Sequence, residues 1–305
     1  MDGKWLEVSG PGSGETRRLA IDYRSAGPNL RFVFAGPGGK VWGASGHPPW
    51  TFTSDPKTGV TEILGRARSG QAADAAGDRI YSAEYSGGWL SVLDTKRPWT
   101  GEGREASDNP RVLGEYQPDI NQPYAALVHP DGRHVLMSGW PGYGFVGGGL
   151  AIYDLETGES RLIRHPDLVP DQSTYQLAAL PNGDIVAGTN ISGGHGTRPV
   201  AKEGMLYILD WKTKTVVHRA VPVPGAEGVH GLVVARDGLV YAITTPPTFF
   251  VFDPAARKVI HRRDLAEYGT IAYNGLKAGP DGKIYAVMAK ALLRITPGTY
   301  AVEKL

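Results

Sequence analysis

A glycine-centred turn recurs six times along this 305-residue chain, each copy followed by a strand, a variable loop and a second strand. The copies are GPGGKVWG at Gly39, AAGDRIYS at Gly77, HPDGRHVLM at Gly132, LPNGDIVAG at Gly183, ARDGLVYAI at Gly238 and GPDGKIYAV at Gly282. By difference of residue numbers, the glycines lie 38, 55, 51, 55 and 44 residues apart. Glycine supplies the positive φ that such turns need, and Pro and Asp beside it fix their entry.

The last copy resolves one repeat into its parts. Asn274–Ala278, Lys283–Met288, Leu292–Ile295 and Tyr300–Glu303 read as four short strands separated by Gly-Pro-Asp-Gly, a short gap and Thr-Pro-Gly. Their Ile, Tyr and Val suit half-buried pleats. A meander of this kind cannot bury both faces alone, so repetition at this period predicts an all-β chain of radially packed four-stranded blades, a β-propeller. Residues 30–305 carry six clear repeats. Residues 1–29, with strand-like Trp5–Val8 and Thr16–Asp22, read as a closure hairpin or partial blade, giving seven blades, or six if the ring closes without them. One propeller domain over 1–305 is expected.

Composition narrows the partners. Lys+Arg 32 against Asp+Glu 31 gives a net charge of +1, without a basic run, which argues against nucleic acid and anionic membranes. The 42 Gly and 23 Pro are accounted for by the many turns. No cysteine is present, so disulfides, thiolate zinc and cysteine nucleophiles are excluded. No apolar run approaches the roughly 20 residues of a membrane span. MDGKWLEVSG does not read as a signal peptide, so the expectation is a soluble, cytoplasmic protein, or an extracytoplasmic one if a leader was removed. The loop GPGSGE lacks the following helix and lysine of a phosphate cradle and reads as a hairpin turn.

The repeat also locates a candidate site. Eight residues before the turn glycines stand Arg31, Ser69, Tyr124, Tyr175, His230 and Asn274; eight after stand His47, Tyr85, Trp140, Ile191, Pro246 and Lys290. Strands one and two of a blade are antiparallel, so both sets belong to one mouth of the channel. Two blades add long glycine-rich loops there, carrying Trp140 and Tyr143 in one and His195 and Arg198 in the other, the latter pair in a flexible loop. Aromatic faces suit the C–H face of a sugar ring, and arginine offers a fork for a carboxylate. Arg31, Tyr124, Trp140, Tyr143, Tyr175, His230, Asn274 and Lys290 are the expected substrate contacts. His129 and His134 flank the opposite turn and His218 and His261 fall on outer strands, so these four read as surface residues. No cofactor is expected. His47, His195 and His230 lie on different blades without metal-ligand spacing, and no G-x-S-x-G elbow occurs.

G-K-x-Y after the turn glycine, with Asp55-Pro56-Lys57-Thr58-Gly59 echoed by Asp154-Leu155-Glu156-Thr157-Gly158, resembles the quinoprotein-like and YVTN-type propellers over residues 30–305. That resemblance implies the fold, and it implies no quinone, since the tryptophan docking motifs are absent. His47, Tyr85, His195 and Arg198 match in residue type the catalytic groups of propeller lyases that act on uronic acids. This narrower similarity implies β-elimination on an oligo- or polysaccharide. A non-catalytic propeller that binds protein or glycan is the competing expectation.

Overall fold

The computed structural model describes residues 5–9, 16–20, 29–66, 68–101, 103 and 105–305. Its strands form six consecutive antiparallel meanders. Blade one comprises β3 Leu30–Ala35, β4 Val41–Ser45, β5 Trp50–Ser54 and β6 Thr61–Arg66; the preceding hairpin pairs β1 Trp5–Ser9 with β2 Thr16–Ala20. Blade two holds β7 Ser69–Ala76, β8 Arg79–Tyr85, β9 Trp89–Asp94 and β10 Arg111–Glu115. Blade three holds β11 Gln122–Val128, β12 His134–Trp140, β13 Leu150–Asp154 and β14 Ser160–Ile163. In blade four come β15 Ser173–Ala179, β16 Ile185–Asn190, β17 Leu206–Asp210 and β18 Thr215–Ala220. Blade five has β19 Gly228–Val234, β20 Val240–Thr245, β21 Thr248–Asp253 and β22 Lys258–Asp264, and blade six has β23 Ile271–Ala278, β24 Ile284–Met288, β25 Ala291–Thr296 and β26 Ala301–Lys304. A single bridge, Asn190 to Gly228, links blades four and five into one sheet.

The first strand of each blade lies innermost. β3, β7, β11, β15, β19 and β23 each pack beside the next, and β23 returns to β3. A channel cavity of about 100 Å³ is lined from all six. The seven-blade expectation is therefore corrected. Among the described residues the ring closes with six blades, and its last blade is built wholly of C-terminal strands. Strands β1 and β2 form a sheet of their own. The GPGSGE loop lies outside the described residues.

Burial follows the period of two. On β12, Val135 and Met137 pack with Tyr81 and Leu90 of blade two, while Leu136 packs with Ile185 and Tyr207 of blade four. Middle strands thus bury both faces, which is why they read as continuous apolar runs. The outermost strands β18 and β22 alternate exposed and half-buried residues, as a solvated edge should. Apolar clusters of this kind fill the interfaces from blades one and two through blades five and six. Among the described residues none spans blades six and one, where a cavity of about 200 Å³ lies against Leu30, Val33 and Val287.

Gly132, Gly183, Gly238 and Gly282 take φ of 71°, 90°, 78° and 78°, the left-handed region that their turns require. In the D-x-x-T-G turns the Asp side chain accepts from the backbone two residues on, 2.8 Å at Lys57 and 2.9 Å at Glu156. Helix is confined to His165–Leu168 and two 3-10 turns among the described residues, and no helix is long and apolar enough to cross a membrane.

Candidate functional site

Each innermost strand is interrupted by a β-bulge near its start. Pairing with the second strand skips one residue in five blades: Arg31, Gln71, Tyr124, Tyr175 and His230. In blade six it skips the four residues between Ile271 and Leu276, Tyr273 and Asn274 among them. A bulge bends the strand and re-aims one side chain. Here the repeat does so six times at one rim.

The bulge residues of blades three to six meet as rings. Tyr124 and Tyr175 stack with centroids 4.0 Å apart, and Tyr175 stacks on His230 at 4.5 Å. Tyr273 meets the Tyr124 ring edge-on at 5.6 Å, and Trp140, from the end of β12, meets it at 4.9 Å. Burial pushes the phenols of Tyr124, Tyr175 and Tyr273 above their ordinary range, so all three stay protonated. It pushes His230 down to about 4. The Ser192 amide donates to Asn190 Oδ1 at 2.7 Å, which turns Asn190 Nδ2 toward His230 Nε2 at 2.8 Å. Nε2 accepts, and the ring proton sits on Nδ1.

Above these rings two loops are joined through their glycines. Gly194 N donates to Phe145 O at 3.0 Å and Gly144 N to His195 O at 3.1 Å. A Cβ on Gly194 would stand 2.0 Å from Gly142 O, so only glycine permits this approach. The loop carrying His195 and Arg198, expected to be flexible, is pinned by these bonds. They set the His195 ring edge-on to Tyr143 at 5.3 Å and to Trp140 at 6.4 Å. Tyr143 and Tyr85 share a hydroxyl hydrogen bond of 2.6 Å, which raises the Tyr85 pKa.

Of the residues expected from sequence, Tyr85, Tyr143, Trp140, His195, Tyr124, Tyr175 and His230 form one connected set. Arg31 and Asn274 lie at bulges of the same rim; Asn274 donates to Gln71 O at 3.2 Å. His47, Arg198 and Lys290 are exposed, and among the described residues their side chains make no hydrogen bond or ion pair. Counting from the turn glycine missed Gln71 and Tyr273. Ser69, chosen in blade two, pairs with Tyr85 in the ladder and is not the bulge residue. Among the described residues no three His, Asp or Glu side chains converge as a metal centre requires.

The four histidines read as surface residues pack inside instead. His129 is 3% exposed, stacks on Trp211 at 3.7 Å and bonds Gly183 O through Nε2 at 2.7 Å. His134 is half-buried and lies 2.8 Å from Asp131 Oδ2. His218 stacks on Phe252 and His261 packs on Phe249 and Tyr300; burial lowers the pKa of both. Outer strands in this ring carry half-buried positions, and these histidines occupy them.

No protein-family model matches the chain, and no curated protein matches it. Among solved structures it is similar to a candidate 6-phosphogluconolactonase from Bacteroides fragilis, with 13% identity and a TM-score of 0.62, covering 100% of this chain and 90% of that one. The likeness is one of fold. It supports the propeller architecture and leaves the narrower resemblances read from sequence without a matching family.

Proposed function

We propose that this mouth takes an acidic saccharide and cleaves it by β-elimination. The observation that carries the reading is an aromatic wall beside three buried polar atoms that have no hydrogen-bond partner among the described residues: Arg31 Nε, Trp140 Nε1 and Tyr273 Oη. An unpaired buried donor costs about 1–3 kcal/mol, and a ligand rich in oxygen would satisfy all three. Trp140 and Tyr143 suit the C–H face of a pyranose. The Arg31 guanidinium suits its carboxylate, and neutralising that charge acidifies the neighbouring C5 proton.

His195 is assigned as the base that removes that proton. The C5–H electron pair becomes the C4=C5 double bond as the C4–O bond breaks, and the leaving oxygen takes a proton from Tyr85. A phenol whose pKa is raised, here by its bond to Tyr143, holds its proton and fits the acid role. His47 and Arg198, exposed and without side-chain partners among the described residues, are outlying contacts to a longer chain. Binding without turnover is the second reading, favoured by the aromatic area, which suits stacking whether or not a bond is cleaved.

The test is a binding titration of uronate and neutral oligosaccharides of equal length. Saturable binding should favour the uronate, and Arg31→Ala should remove that preference while Trp140→Ala weakens both. Absence of saturable binding to either sugar would contradict the reading. Because the Bacteroides fragilis protein is described as a candidate 6-phosphogluconolactonase, 6-phosphogluconolactone belongs in the substrate panel.

A further inference from the structure

On the face opposite the mouth, a polar cavity of about 140 Å³ lies between blades two and three. A water needs roughly 10–15 Å³ of such space, so it admits more than one. Its rim carries three guanidinium groups from three segments: Arg79 at the start of β8, Arg97 in the loop between β9 and β10, and Arg111 at the start of β10. Among the described residues, the side chains of Arg79 and Arg111 make no hydrogen bond or ion pair, and Arg97 donates only to Ser107 O at 3.2 Å. Tyr81 contributes to the wall; its side chain is 2% exposed and its hydroxyl has no partner among the described residues.

Asn109 ties down the start of the loop that carries Arg97. Asn109, 2% exposed, accepts from Asp94 N at 2.9 Å through Oδ1. Its Nδ2 reaches the carbonyls of Asp94, Arg97 and Pro98 at 2.9, 3.0 and 3.1 Å. The two acids of the rim are turned to their own loops: Asp94 Oδ1 takes the Lys96 amide at 2.9 Å and Asp108 Oδ2 the Glu105 amide at 3.1 Å. The three guanidinium groups line the cavity, and among the described residues none of them forms an ion pair with a carboxylate.

We infer that this cavity is a second binding site, for a phosphate group, free or as a monoester. Guanidinium groups recognise phosphate oxygens through paired N–H donors, three of them line this cavity, and the Tyr81 hydroxyl supplies a neutral donor at the wall. The inference does not rest on the reading of the mouth.

Isothermal titration of the full chain with inorganic phosphate, at an ionic strength fixed by chloride, tests it. One saturable site is expected. Arg79→Ala and Arg111→Ala should each weaken it about tenfold or more, as loss of a charged hydrogen bond does. Tyr81→Phe should weaken it less, with folding checked by its melting curve, and Arg31→Ala at the mouth should leave it unchanged. Running glycerol phosphate in parallel identifies the source, since the tighter of the two probes marks a monoester or the free ion. No saturable binding, binding that survives both arginine variants together, or equal competition by acetate would overturn the proposal.

Discussion

The Tyr175 ring lies 4.0 Å from the Tyr124 ring and 23° from parallel, although the two belong to different blades. Both stand at bulges, and the other face of Tyr175 is taken by His230. Removing the middle ring should therefore open a cavity between two blades. Tyr175→Ala should cost about 3–5 kcal/mol in urea unfolding, as other buried aromatic truncations do. Tyr175→Phe keeps the stack and should cost well under half of that. Equal losses in the two variants would mean the hydroxyl, and not the stack, stabilises the mouth.

Glu84 makes stability depend on pH. It is buried between blades one and two, accepts from Ser91 Oγ at 3.0 Å, and burial raises its carboxyl from 4.5 to about 7. Between these values the native state holds a proton that the unfolded chain has lost. Its stabilising contribution is present below pH 4.5 and is lost as pH rises through 7, about 3 kcal/mol in all. His230 acts the other way between about 4 and its ordinary 6.5, since its folded pKa is the lower. Comparing the parent with Glu84→Gln cancels that contribution. The variant should gain on the parent from pH 5 to pH 8, and parallel curves would contradict the assignment.

His129 separates structural from functional histidines. Its ring fills a position between blade three and Trp211 of blade four, with a bond to Gly183 O. His129→Ala should cost about 2–4 kcal/mol, from the cavity and the orphaned carbonyl. His47→Ala, at an exposed position, should stay within about 0.5 kcal/mol of the parent. Thermal unfolding of the two variants side by side checks this.

The blade period was legible because turn chemistry is local: glycine at positive φ, with Pro or Asp beside it, marks each hairpin in the sequence itself. The rim residues Arg31, Tyr124, Tyr175 and His230 followed by counting, since in those blades the glycine sits at a constant distance from the bulge. Blade two broke the count. Ala76 pairs with Arg79 across a tight turn, whereas Val128 pairs with Val135 across a longer one, so the same offset lands on Ser69 and misses Gln71. In blade six the bulge takes in four residues and brings Tyr273 to the rim. The burial of His129 had no local signal, because the ring that covers it comes from the next blade. Closure at six blades was likewise settled by β23 lying beside β3, a contact between the two ends of the repeat array.

The most direct test of the mouth is turnover. Uronate-containing polysaccharides incubated with the chain should develop the ultraviolet absorbance of an unsaturated uronic acid. His195→Ala and Tyr85→Phe should each lower the rate about 10²–10⁴-fold, the usual scale for losing a general base or acid, while binding persists. An active parent with those two losses is the predicted result. No absorbance from any uronate, or full activity in both variants, would contradict the account.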